Sequence, residues 1–546
     1  MSERGGGLAR LATLPLMQRL VAKGRPPLRL IGVARDHVTG SKSRGEQLLA
    51  GRFVSGGEAV DLKDLNWSSI DPASPVGAEL QGFAWLRDLA AAATREKGAA
   101  LAEDLAGRWL LAHGPKVDAA WVPALWGERL LFWLAYAPYL LSRRDADYRS
   151  ALLNTAARAA RHLAATADEA PPGLPRITAW AGLTAACLLL SSGTARLAKA
   201  ETGLSRALAS AQADDGGLLS RSPTEQAQLV DRLGLLRAAY AAARHDFPQG
   251  FEDASAAALA ALHGVTMGDG SLSAWQGGNE GSRAALAALV EGCGFRARPL
   301  RNPRGWGYHR LSALGTILVI DAAAPPSRKL ARIGSASTLA LELSDGQQKL
   351  VVNCGGPGPH TTSLPEGLAA ALRTTAAHST LTLADTNSTA IQPDGTLGRG
   401  VEDVTVTRSE DNDASRIEAT HDGYVRGFGL VYDRALSLGN DGKEVRGLDR
   451  LTPKGRKKIR EDVPFAIRFH LAPGVEAVPT ADGLGALIRS PGAPPWNFRC
   501  RGAQLGLEES VVVDGTGALR STLQLVLVGE VSHLGAEIGW QFRRSS

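Results

Sequence analysis

Cysteine is scarce: the 546 residues hold four, Cys187, Cys293, Cys354 and Cys500. None sits in a C-x-x-C spacing, which excludes the usual zinc ribbon and dithiol redox motifs and leaves four ordinary thiols, as a reducing compartment would have. Aromatic residues make up only 5%. No apolar run reaches the roughly 18–20 residues that a bilayer-spanning helix needs. The N-terminal stretch MSERGGGLARLATLPLMQRLVAKGRPPLRL lacks an unbroken apolar segment and a small-residue cleavage site. No signal peptide is therefore expected. A cytoplasmic chain is the first expectation, a periplasmic one the alternative. The phosphate loop G-x-x-x-x-G-K-[ST], the zinc helix H-E-x-x-H and the nucleophile elbow G-x-S-x-G are all missing. The glycine-rich GGPGPH, 355–360, carries no lysine and reads as a turn. Charge is nearly balanced, at +6. The densest basic cluster, Lys454 to Lys458, reads as a solvated loop, so no nucleic-acid partner is expected.

What the chain does have is apolar content, 44%, enough for sizeable cores. From about residue 76 to 293 it is rich in alanine and leucine with a helical period. Trp126, Leu130, Trp133, Ala137 and Leu141 share one face, and Leu229, Leu233, Leu236 and Tyr240 another. Ser222-Pro223-Thr224-Glu225 reads as a helix start, with Ser222 as N-cap, Pro223 first in the helix and Glu225 closing a capping box. Breaks at 170–175 and 214–217 separate the helices, so hairpins packed side by side are expected. After about residue 295 the period becomes two. GTILVID (315–321), STLALELS (337–344), VTVTR (404–408) and FAIRFHL (465–471) read as strands of an antiparallel sandwich. In the last, Ile467, Phe469 and Leu471 face a core, and Arg468 and His470 the opposite side.

Candidate functional residues are few. Trp109, Trp121, Trp126, Trp133 and Trp180 concentrate in the helical half, as core residues or as platforms for sugar rings. Trp121 and Trp180, near helix starts after loops, are the candidates for a cleft. Arg129 can offer a guanidinium to a carboxylate, or pair with Glu128 or Asp118. His378, in RTTAAHSTLTL, opens a short strand and serves as a ligand, a hydrogen-bonding group or a structural residue.

The order of these parts resembles the heparinase II/III-like family of polysaccharide lyases. The resemblance rests on WVPALWGERLLFWL, LALELSDGQQKLVVNCGG, LRTTAAHSTLTL, HDGYVRGFGLVYDRALSL and RGLDRLT. It implies an α+β multidomain chain: an irregular arm over 1–65, an incomplete α/α toroid over 66–298 and an antiparallel β-sandwich over 299–546. It further implies β-elimination on an acidic, uronate-containing polysaccharide in the cleft between the two parts. That reaction needs a neutralised carboxylate, a base for the C5 proton and an acid for the leaving oxygen. By resemblance the catalytic set is His378, Tyr424 and Arg176, and the substrate-binding set is Arg129, Trp121, Trp180, Arg373 and Tyr308. The chain departs from the family pattern elsewhere. Arg176 and Thr178 stand at the Asn-Asn-His element, Glu225 and Gln226 at the tyrosine helix, Ser335 and Ser337 at the His-x-His element, and Asn353 at the metal-ligand aspartate. One histidine cannot hold zinc, which takes about four ligands, so no metal and no cofactor are expected. Three readings follow: a lyase with a rearranged site, a protein that grips an acidic glycan without cutting it, and an assembly protein with a vestigial cleft. The oligomeric state stays open.

Overall fold

The computed structural model describes residues 28–56, 58–143, 145–330, 333–356, 364–365, 367–454 and 461–545. The basic cluster beyond Lys454 and the GGPGPH segment beyond Gly356 lie outside them. Among the described residues, the longer helices of the first half follow one another as four successive hairpins. They are Arg95–His113 with Pro123–Ala135, Ala146–Thr166 with Leu174–Leu189, Leu197–Ala211 with Pro223–Ala243, and Gln249–Gly264 with Arg283–Gly292. The second helix of each of the first three carries a proline in its first turn, Pro123, Pro175 or Pro223, where the missing N–H costs nothing. Ser222 caps the third as expected, its Oγ accepting from the Glu225 N–H at 3.4 Å. These helices touch backbone to backbone. A Cβ on Gly127 would lie 2.2 Å from the Thr178 carbonyl oxygen, and one on Gly182 2.2 Å from that of Gly127. Among the described residues no helix is long and apolar enough to cross a membrane.

The stretch expected to be an irregular arm is more ordered than that. Its described part carries the helix Lys42–Leu49 and the hairpin Arg52–Ser55 with Glu58–Asp61. Asp36 ties it to the toroid through Arg87, which also binds Asp231 at 2.8 Å.

The second half is two antiparallel sheets face to face. The first runs through Glu476–Pro479, Gly485–Arg489, Trp496–Arg501, Ala536–Arg544, Glu444–Pro453, Leu430–Gly439, Ala414–His421 and Val404–Glu410. The second runs through Gln504–Val513, Leu519–Val531, Val463–Leu471, Gln348–Val352, Leu341–Asp345, Thr316–Asp321 and Tyr308–Ala313, with Leu381–Leu383 beside Val463–Leu471. Phe469, Phe498, Trp540 and Phe542 form an aromatic knot between the sheets. Inside it, Arg434 binds Asp449 at 2.7 Å, both fully buried, and donates to the Leu339 and Ser379 carbonyls. Two expectations needed correction. The strand read over 337–344 begins only at Leu341. His470, expected on an outer face, is buried because residues 376–379 cover it. The four cysteines are free and buried.

Arg434 supplies a clear stability test. Arg434→Ala leaves the Asp449 carboxylate uncompensated in the sandwich core. The expected loss is about 3–5 kcal/mol of unfolding free energy in a denaturant titration.

Candidate functional site

The toroid meets the sandwich through a polar seam centred on Arg221. This arginine precedes the helix Pro223–Ala243 and holds a left-handed φ of 59°. Its guanidinium donates to Asp321 at 2.5 Å, to the Trp306 carbonyl at 2.9 Å and to the Ala324 carbonyl at 2.9 Å. Asp321, the last residue of its strand and fully buried, also accepts from the Ser337 hydroxyl at 2.7 Å. Gln276 bonds Ser337 Oγ at 3.0 Å and the Ser335 N–H at 2.8 Å. Asp215 accepts the backbone N–H groups of Arg304, Gly305 and Trp306. Trp306 then packs on Gly217, where a Cβ would stand 2.0 Å from its ring.

Several residues from the expected cleft are consumed by this seam. Tyr308 is buried, its hydroxyl donating to the Arg221 carbonyl at 2.7 Å and its ring stacked on Trp275. Arg373 is buried, its Nε donating to the Gly334 carbonyl at 2.8 Å. Gln226 holds the Leu218 N–H and the Gly216 and Ala258 carbonyls. Arg176, half-buried, is held within the toroid instead, giving two N–H groups to the Ala170 carbonyl. Glu225 is desolvated, which raises its carboxyl above the usual range.

His378 is 2% exposed. A carbonyl only accepts, so the 2.7 Å contact to Thr374 makes Nδ1 the protonated nitrogen. Burial drives its pKa down to about 4, against the pull of Asp321. Beside it, His470 donates from Nε2 to the Ala376 carbonyl and faces Ser510 Oγ with Nδ1, and its pKa falls to about 3. Both rings are neutral at physiological pH and locked to backbone.

The donors do not fit the metal that the resemblance associates with this patch. The Ser337 hydroxyl is given to Asp321, and Asn353 spends its Oδ1 on the Ser379 N–H and its Nδ2 on Glu342. That leaves the imidazoles of His378 and His470, each with one nitrogen spent on a backbone carbonyl, where zinc takes about four nitrogen, sulfur or carboxylate ligands. Among the described residues, one acid–histidine group has metal-like spacing: Asp36, His37 and Asp231. Arg87 and Arg232 already neutralise its carboxylates.

The remaining expected residues lie in the cores. Arg129 is fully buried, clamped between Trp109 and Trp126 at 4.2 and 4.4 Å, and bonds the Gln81 and Ala120 carbonyls. It makes neither of the ion pairs weighed for it, and burial lowers its pKa to about 9. Trp121 and Trp180 are buried, their indole N–H groups donating to the His113 carbonyl and to Asp168. Tyr424 lies in the sandwich core with its hydroxyl on the Leu381 carbonyl at 2.8 Å. The structure thus brings Arg373, Tyr308 and His378 to one seam and leaves Arg129, Trp121, Trp180 and Tyr424 elsewhere. A separate cavity between toroid and sandwich, about 340 Å³, is lined by Glu342, Lys349, Asn353 and Asp269, among others, and by none of the residues expected to be catalytic. Sequence reading passed over Arg221, Asp321 and Gln276. The usable signal was Asp321, an acid closing an otherwise apolar strand.

Buried neutral histidines make stability depend on pH. His309, His378 and His421 fall to about 4 and His470 to about 3, all by burial. Below the unfolded value near 6.5 the unfolded chain binds protons that the native state refuses, so stability falls with pH. Unfolding free energy should drop from pH 6.5 towards 4, and His378→Asn should reduce that slope.

Comparison with known proteins agrees with this architecture. Residues 296–541 match the family model "Heparinase II/III-like, C-terminal". A Caulobacter vibrioides protein, FtsZ-localized protein C, is 29% identical over 523 residues, covering 92% of this chain and 88% of its own. The crystal structure of heparinase III is similar with a TM-score of 0.71 at 15% identity, covering 93% of this chain and 85% of that one. Chondroitin AC lyase from Streptomyces coelicolor A3 has a TM-score of 0.52 at 11% identity, covering 92% and 78%. Residues 296–541 thus match the heparinase II/III-like C-terminal family model, and the whole chain, a helical toroid joined to that sandwich, has the fold of heparinase III.

Proposed function

We propose that this chain binds an acidic polysaccharide without cleaving it. The observation that carries the reading is the state of the seam. His378 is sealed and bonded to a backbone carbonyl, Tyr424 is bonded inside the sandwich core, and serine, glutamine and asparagine stand where the resemblance implies acid–base and metal-binding groups. β-Elimination needs a base at C5 and a neutralised carboxylate within hydrogen-bond reach. An imidazole with a pKa of about 4 and a spent N–H is a poor base and a poor acid for that work. The acidic ligand is supported by the fold, which this chain has in common with proteins named heparan sulfate lyase and chondroitin AC lyase.

A second reading rests on the Caulobacter vibrioides relative, named for localisation with FtsZ. Here the chain is an assembly protein, and co-sedimentation with FtsZ polymers is its test.

For the first reading, purified protein mixed with heparin, chondroitin sulphate or polygalacturonate should give no ultraviolet rise from a conjugated product double bond. It should still be retained on at least one of these glycans when they are immobilised. Turnover that is lost in His378→Ala would sink the proposal.

A further inference from the structure

The first sheet turns one face to solvent, and its register orders that face. Residues directly opposite one another across six strands form a row: Ser409, Arg416, Ser437, Arg446, Gln541 and Arg499. Arginine alternates with a hydroxyl or amide side chain along it. Strands lie about 4.8 Å apart, so the three arginines recur about every 9.6 Å. The next row on the same face runs Thr407, Glu418, Ala435, Leu448, Gly539 and Arg501, with small or apolar side chains in its middle, an acid paired to Arg450 towards one end and an arginine at the other. Both rows line one open concavity of about 670 Å³, whose described lining comes wholly from the sandwich.

The arginines are accessible: Arg416, Arg446 and Arg499 expose 45%, 66% and 46% of their side chains. Each leans on an acid, Asp411, Glu444 or Asp482. Such exposed pairs are worth only about 0–1 kcal/mol, so an incoming anion can take over the guanidinium. Arginine binds carboxylate and sulfate-like groups through two parallel N–H bonds.

We infer that this face, and not the toroid–sandwich seam, binds the acidic polysaccharide, which lies across the strands with an anionic group on every second sugar. The inference rests on the glycan-binding reading above and gives it a site. Each arginine takes one anionic group, Ser409, Ser437 and Gln541 bond hydroxyls of the intervening sugars, and the low middle of the second row receives ring C–H faces. An extended peptide fits less well. Its same-side side chains recur about every 6.8 Å, and a sheet face offers it no free backbone groups, because the ladder bonds lie in the sheet.

Isothermal titration with size-defined heparin and polygalacturonate oligosaccharides tests the site on the full chain. The variant Arg416→Glu/Arg446→Glu/Arg499→Glu should bind at least about tenfold more weakly, the loss of roughly 1.4 kcal/mol or more of charge-assisted bonding. A control with the same charge change on exposed lysines of the arm and toroid, Lys42→Glu/Lys97→Glu/Lys116→Glu, should keep wild-type affinity. Thermal unfolding checks that each variant is folded, and Arg446→Gln alone repeats the test if the triple variant melts early. Wild-type affinity in the sheet variants overturns this site while glycan binding stands. Equal loss in the control also overturns it, since net charge alone would explain the binding. No binding by the wild-type chain overturns both proposals. Tighter binding of poly-glutamate than of either glycan reassigns the face to an acidic protein segment.

Discussion

The ion pair between Arg221 of the toroid and Asp321 of the sandwich is the contact on which the rest of the molecule turns. Both side chains are buried. Removing two charges from water is expensive, and their attraction offsets that cost only when every remaining proton and lone pair is used. Here they are used. Arg221 also bonds the Trp306, Ala323 and Ala324 carbonyls, and Asp321 also accepts from Ser337. The pair therefore fixes the docking of the two halves geometrically. Loosening it would expose an unpaired charge on each side.

That constraint spreads outwards to Ser335 and Ser337, which stand at the family's His-x-His element, and to Arg373, expected to bind substrate. Ser337 is held by Asp321, Gln276 by Ser337 and Ser335, and Arg373 by the loop that carries those serines. Each side chain is uncharged or already bonded, so the seam behaves as a welded joint. On the binding reading proposed above, hydrogen bonds that close the joint stand where a lyase would need acid–base groups. The sandwich's first sheet is free of this constraint. Its inner face is committed to the core, but its outer face carries side chains whose partners are exposed and weak. A binding function is more readily accommodated there than in the seam.

How much was legible in the residues differs between the two halves. The helices were plain, because Ser222-Pro223 and the 3.6-residue spacing of leucines are local signals, as was the switch to strands near residue 295. Burial was not plain. Trp121 and Trp180 were read as cleft residues from their place near helix starts, yet both rings are enclosed by neighbouring helices. Arg129 was read as a ligand for carboxylate, but two tryptophan faces from its own and the preceding helix enclose it. His470 was placed outside by strand alternation, and a segment nearly a hundred residues away in the chain covers it.

The sequence by itself determined most of the elements and their order, helices first and strands after, since these follow from residue type and spacing along one chain. Only the tertiary structure decided what each polar side chain does. Arg221 meets Asp321 across 100 positions, and Arg416, Arg446 and Arg499 align only once strand register is set. Burial and partner choice are properties of distant segments brought together, and no local pattern encodes them.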